Sequence, residues 1–191
     1  MTLSNVPWDS NTSTDVSISS GTITGTGGAS WTGNVKSDIT ITSGDKIKIT
    51  NPSSSSLNQF AAGLGANPYD QETNSYVDVE YAWIIKQNDT WSIFESGTLK
   101  HNTNAIYSST DHAEIIRSGT DIKYYLNGVL IYTSSNTTSA GLYPQVATVG
   151  SGQITMQYGS TAGTGGSSSI ADTEGSPLLE HILYLNTRVP T

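Results

Sequence analysis

Asp121-Ile-Lys-Tyr-Tyr-Leu-Asn-Gly-Val-Leu-Ile-Tyr132 decides the fold class of this 191-residue chain. Ile122, Tyr124 and Leu126 recur at every second position, the period of a strand with one buried face. Asn127-Gly128 follows, two residues that tolerate the positive φ a type I′ turn requires. Val129 and Ile131 resume the alternation on the return arm. The stretch is a β-hairpin.

The same pattern extends in both directions. Upstream, residues 112–117 read as a strand, turned into the hairpin by Ser118-Gly119-Thr120. Earlier strands are expected over 15–19, 22–24, 35–41, 46–50, 59–64, 76–86, 90–95 and 98–102. Lys46 and Lys48 alternate with Ile47 and Ile49, giving one wet face and one buried face. The stretch 76–86 is the longest, with Val77, Val79, Tyr81, Trp83 and Ile85 on one face. Downstream, 142–149 and 153–158 complete the set. Helix signals are nearly absent, and roughly a dozen short strands at even spacing favour a sandwich over an α/β sheet.

Composition narrows the partners. Eight Lys+Arg stand against sixteen Asp+Glu, a formal net charge of -8, the wrong balance for a nucleic-acid protein. There is no cysteine, so neither a disulfide framework nor a thiolate metal site can form. The opening residues carry no basic, apolar leader pattern. No stretch reaches the ~18 apolar residues of a membrane-spanning helix. Only 13% of residues are charged, so the polar surface is Ser, Thr, Asn and Gly, as in adhesins, viral fibres and secreted sugar-binding modules.

From Gly159 the composition shifts. Residues 1–158 read as the sandwich, 159–175 as a flexible Gly/Ser/Thr-rich linker, and 176–191 as a separate segment. That last segment holds the most apolar run of the chain, with Leu178, Leu179, Ile182, Leu183, Tyr184 and Leu185. It is expected either to dock on a partner or to pack back as a final strand.

Candidate chemistry is sparse. The loop 67–75 holds Tyr69, Asp70, Gln71, Glu72 and Asn74. An aromatic ring beside amides and carboxylates suits a sugar, whose apolar face stacks while its hydroxyls are fixed. Trp91 and Tyr107 are candidates to extend that carbohydrate-binding surface, whereas Trp31 and Trp83 are assigned to the core. The plainer reading of the loop is an ordinary turn; Ca²⁺ ligation by its oxygens finds no EF-hand-like spacing. Asp78 and Glu80, two apart on one expected strand, share a face and offer a paired-carboxylate reading; the alternative is a solvated strand face. Glu95, ending an apolar strand, is either a buried carboxylate or a cap on the following turn through backbone N–H groups, with the structural role favoured. His101, His112 and His181 share no ligand spacing, so no metal site is expected. No Gly-x-Ser-x-Gly elbow occurs.

The order of motifs resembles the concanavalin A-like lectin/glucanase superfamily, in the small modules of bacterial surface and phage virion proteins. The residues that carry this are Trp31, Ser43-Gly-Asp45, Gly63-Leu64, Tyr76-Val-Asp78, Glu95-Ser-Gly97, the Lys123-Tyr-Tyr-Leu-Asn-Gly128 hairpin and Leu142-Tyr-Pro144. They cover about residues 8–158. The resemblance implies an all-β, two-sheet antiparallel jelly-roll sandwich. It departs from the retaining glucanases of that fold, whose Glu-x-Asp-x-x-Glu is matched here only by Asp78-Val-Glu80, with Trp83 where the second Glu would stand. It also departs from legume-type lectins, whose Asp/Asn/His metal cluster is not evident. The expectation is therefore a non-catalytic virion or cell-surface structural protein with no cofactor, such as a phage capsid decoration or fibre component. Its lectin-like domain would bind host or environmental glycans, and its tail would bind a capsid, fibre or other surface-assembly protein. A homo-oligomer is compatible with a fibre, although no heptads or repeats support one. The alternatives are a secreted bacterial carbohydrate-binding module or adhesin domain and, behind both, a glycan hydrolase or lyase.

Overall fold

The computed structural model describes residues 2–9, 15–28, 30–53, 59–66, 76–85, 90–106 and 108–161. In chain order the strands are β1 (Ser4–Asn5), β2 (Val16–Ser19), β3 (Thr22–Gly25), β4 (Gly33–Lys36), β5 (Asp45–Ser53), β6 (Gln59–Gly65), β7 (Tyr81–Ile85), β8 (Thr90–Glu95), β9 (Thr98–Ile106), β10 (His112–Ser118), β11 (Asp121–Leu126), β12 (Val129–Thr133), β13 (Tyr143–Val149) and β14 (Gln153–Ser160). They form two sheets, antiparallel throughout. The larger runs β12-β11-β10-β5-β14-β3-β2, with β1 also pairing β14 through Ser4 opposite Tyr158 and Asn5 opposite Gln157. The smaller runs β4-β13-β6-β7-β8-β9. Neighbours far apart in sequence, such as β5 beside β14 and β13 between β4 and β6, are the crossovers of a jelly roll.

Alternation places the core between the sheets. From the larger sheet Ile47, Ile49, Ile115, Tyr124, Ile154 and Met156 point inward; from the smaller, Phe60, Leu64, Trp83, Ile85, Trp91, Ile93 and Val146 meet them. Trp83 sits at the centre, edge-on to Trp91 at 5.7 Å and to Tyr124 at 5.9 Å, as the ring quadrupoles favour. Its indole N–H donates to the Glu114 carbonyl across the sandwich at 3.1 Å. The donor thus keeps a partner when it leaves water.

The signature hairpin forms as read. Asn127 and Gly128 have φ of 51° and 81°, a type I′ turn. The Asn127 side chain also accepts from the His112 N–H and donates to Asp111, tying the turn to the entry of β10. Ser96-Gly97, with φ of 45° and 76°, repeats the turn between β8 and β9. One detail of the hairpin differs. A register shift between Tyr124 and Tyr125 puts Ile131 and Tyr132 against the core, and leaves Val129 exposed at the sheet edge.

The expected strand 76–86 is the larger correction. Tyr76–Asp78 form a 3₁₀ turn, and β7 begins only at Tyr81. All five β7 residues are buried, because the strand lies mid-sheet with both faces covered. On the face away from the main core, Ala61, Ala82, Ile84, Phe94 and Ala147 pack under Val79, Tyr76 and Trp31 as a second apolar cluster. Tyr76 lies 5.1 Å from Trp31 and 5.8 Å from Phe94.

Candidate functional site

The two outer faces differ in kind. The smaller sheet's is covered by its own chain, as above. The larger sheet's outer face is a half-buried polar platform, produced by the residues that alternate with the core-facing isoleucines.

Register assembles this platform into rows. One row runs Asn5, Gln157, Lys48, Glu114, Tyr125 and Leu130, taken from six different strands. The next runs Gly159, Lys46, Ile116, Lys123 and Thr133. On the other side lie Ser19, Thr22, Thr155, Thr50 and His112. Thr22 and Thr155 share a hydroxyl hydrogen bond of 2.9 Å, and the Gln157 amide donates to Asn5 at 3.4 Å. Lys46 Nζ donates diagonally to Glu114 Oε1 at 2.6 Å. That pair is well shielded, with side-chain exposures of 14% and 11%. Lys48 and Lys123 have no carboxylate within ion-pair distance among the described residues. His112 titrates below its ordinary 6.5, first because it is partly buried and then because Lys48 lies near.

Tyr125 stands amid this set with Glu114 on one side and Leu130 on the other. An aromatic ring, an amide, ammonium groups and hydroxyls on a rigid sheet can bind a flat polar polymer by stacking and hydrogen bonding.

The sequence-based candidates fare differently. Tyr69, Asp70, Asn74 and Tyr107 lie outside the described residues, as do Leu178, Leu179, Ile182, Leu183, Tyr184 and Leu185. Trp91 is no surface residue. It is fully buried, because it shares the inward face of β8 with Ile93 and packs on Trp83 and Phe60. Trp83 is in the core, and Trp31 is half-buried over the second cluster.

Asp78 and Glu80 do not share a strand face, since Asp78 ends the 3₁₀ turn and Glu80 precedes β7. Glu80 Oε2 accepts the Ala66 N–H at 3.1 Å. Glu95 is a buried carboxylate rather than a backbone cap: Tyr124 donates its hydroxyl to one oxygen at 3.3 Å and Asn136 its amide to the other at 3.1 Å. Beside it, burial and then Glu80 push Tyr81 up to about 12. Burial and then Glu95 hold Tyr124 well above the ordinary tyrosine value. His101 stacks on Tyr132 at 6.5 Å, and no cluster of metal-ligating side chains occurs among the described residues.

The platform residues Lys46, Lys48, Glu114, Lys123, Tyr125 and Gln157 were missed as a site. Their signal was present strand by strand, as the wet half of each alternation. Only the pairing of strands distant in sequence brings them together.

No protein-family model matches the sequence, and no curated protein does. Solved structures do. The SPRY domain of human HERC1 superposes with a TM-score of 0.53 at 17% identity, over 78% of this chain and 96% of that one. The carbohydrate-binding module CBM66 from Bacillus subtilis gives 0.51 at 13%, over 81% and 92%. The Crh5 transglycosylase gives 0.56 at 9%, over 81% and 78%. The chain has the concanavalin A-like jelly-roll fold.

Proposed function

We propose that the chain is a non-catalytic glycan-binding domain of a virion or cell-surface assembly, with the outer face of the larger sheet as its binding surface. The observation that carries this reading is the row Gln157, Lys48, Glu114, Tyr125. It sets an aromatic ring among amide, ammonium and carboxylate groups on a face that, among the described residues, carries no apolar cluster like the one covering the other sheet. The likeness in fold to a carbohydrate-binding module is consistent with it.

Binding without turnover is favoured by the placing of carboxylates. The platform's two, Glu114 and Asp121, are four residues apart along the β10–β11 pairing, because Asp121 is registered to Ser118. That is about 13 Å along the strands, beyond the roughly 5–9.5 Å that glycosidic acid/base pairs span. Glu80 and Glu95 are committed elsewhere. The surface-assembly role rests on the Ser/Thr/Asn-rich composition and on the Gly/Ser/Thr-rich stretch expected as a linker over 159–175, whose first two residues, Gly159 and Ser160, belong to β14, followed by the apolar segment 176–191.

Glycan-array and host-cell binding with the purified chain tests the reading, with Tyr125→Ala as the site control. Binding lost in the variant supports it; a blank on both assays for the unsubstituted chain overturns it. Deleting residues 176–191 tests the assembly role, which unchanged incorporation of the truncated chain into its particle or surface structure would sink.

A further inference from the structure

We infer that the glycan bound on this face is anionic, a polysaccharide bearing carboxylate or sulfate groups along its length. The inference rests on the glycan-binding reading above and specifies its ligand by charge.

The chain as a whole is acidic, with eight Lys+Arg against sixteen Asp+Glu. Its cations are nevertheless concentrated. Lys46, Lys48 and Lys123 occupy neighbouring positions on the platform, and His112 stands one row away. Against them the platform holds Glu114, which Lys46 engages at 2.6 Å, and Asp121 at the far end of β11. Lys48 and Lys123 are left without an ion-pair partner among the described residues, both half-buried. These two ammonium groups are the platform's open donors for a counter-charge, and an anionic ligand supplies one.

Spacing agrees with a repeating anion. Lys48 and Lys123 are two strands apart and one row offset. That is about 10 Å laterally and 7 Å along the strands, with Tyr125 at the corner between them. One extended glycan chain lying across β5, β10 and β11 can stack a sugar on Tyr125 and bring acid groups two or three sugars apart to the two lysines. Lys46 is already engaged by Glu114, so it fixes that carboxylate rather than meeting the ligand. A neutral glycan would use Tyr125 and Gln157 and leave both free lysines unpaired.

The experiment uses the full chain and titrates it by calorimetry with four probes: polygalacturonate, its fully methyl-esterified form, a sulfated galactan and the desulfated galactan. The expected result is binding to one or both charged polymers, at least tenfold weaker for the neutral partner of each. Binding should weaken as NaCl rises from 0.05 to 0.5 M, as screening of local charge requires. Lys48→Gln with Lys123→Gln should lower affinity for the charged polymer at least tenfold with an unchanged melting temperature. Carboxylated and sulfated arms separate the two sources of charge. Equal or tighter binding of the neutral polymers, or full affinity in the double variant, overturns this inference and leaves the glycan-binding reading standing. No binding to any of the four, together with a blank glycan array, overturns both.

Discussion

The Tyr124 hydroxyl reaches across the sandwich to the Glu95 carboxylate at 3.3 Å, joining β11 of the larger sheet to β8 of the smaller. Asn136, from the segment that follows β12, completes the carboxylate's shell. Removing the hydroxyl strands a buried charge with one donor. Tyr124→Phe is expected to cost about 1–3 kcal/mol in urea unfolding, and Glu95→Gln, which keeps the shape and removes the charge, less than Glu95→Ala.

The same cluster sets an alkaline limit. Tyr81 titrates at about 12 in the folded chain, against 10.0 for an unperturbed tyrosine, and Tyr124 is raised as well. Above pH ~10 the unfolded chain releases these protons while the folded chain holds them, so the unfolded state gains. Stability contributed by the two hydroxyls is fully present below 10 and is lost as pH rises towards and through 12. Tyrosinate absorbance should show two late-titrating tyrosines, one of which disappears in Tyr81→Phe.

Burial first and Lys48 second hold His112 below 6.5. Lys48→Gln should move its NMR titration midpoint upward part of the way, because burial remains. A midpoint unmoved by the substitution would place Lys48 elsewhere than the row described.

Two aromatic substitutions should part company. Trp91→Ala empties a fully buried site against Trp83 and Phe60 and is expected to cost about 3–5 kcal/mol, read as a lower urea midpoint. Tyr125→Ala, on the platform, should leave that midpoint within about 1 kcal/mol and abolish glycan binding.

Gly63 is a packing requirement. A Cβ there would stand 1.8 Å from the Tyr81 carbonyl oxygen, a backbone atom with no room to yield. Gly63→Ala should destabilise by about 3 kcal/mol or more. A soluble variant with an unchanged melting curve would contradict the register of β6 against β7.

The fold was legible because period-two alternation and the Asn127-Gly128 turn are local signals. Lys46-Ile47-Lys48-Ile49 declares its wet and buried faces without reference to any other strand. Tyr76–Ile85 misled because Val77 and Val79 continue the two-residue spacing of Tyr81, Trp83 and Ile85, although they belong to a 3₁₀ turn and its exit, where Val79 packs with Ala82 and Ile84 on the opposite face of β7. Trp91, a candidate for the carbohydrate-binding surface, is instead buried, and its two-residue spacing from the buried Ile93 puts both on the inward face of β8. The platform was hidden for a different reason. Lys46 and Glu114, now at 2.6 Å, are 68 residues apart in sequence, and nothing local in either strand names the other as its neighbour.

The pairing of β1 with the end of β14 bears on how the domain can be attached. Ser4 lies opposite Tyr158 and Asn5 opposite Gln157, so the chain enters and leaves the sandwich side by side. Tension between the two flanking segments would meet that short ladder first and open it rung by rung. Behind it the load would reach β14, which β5 holds through Gly159 opposite Lys46 and Ser160 opposite Asp45. A pull applied at Leu3 or at Thr161 would therefore act on the sandwich from one and the same end.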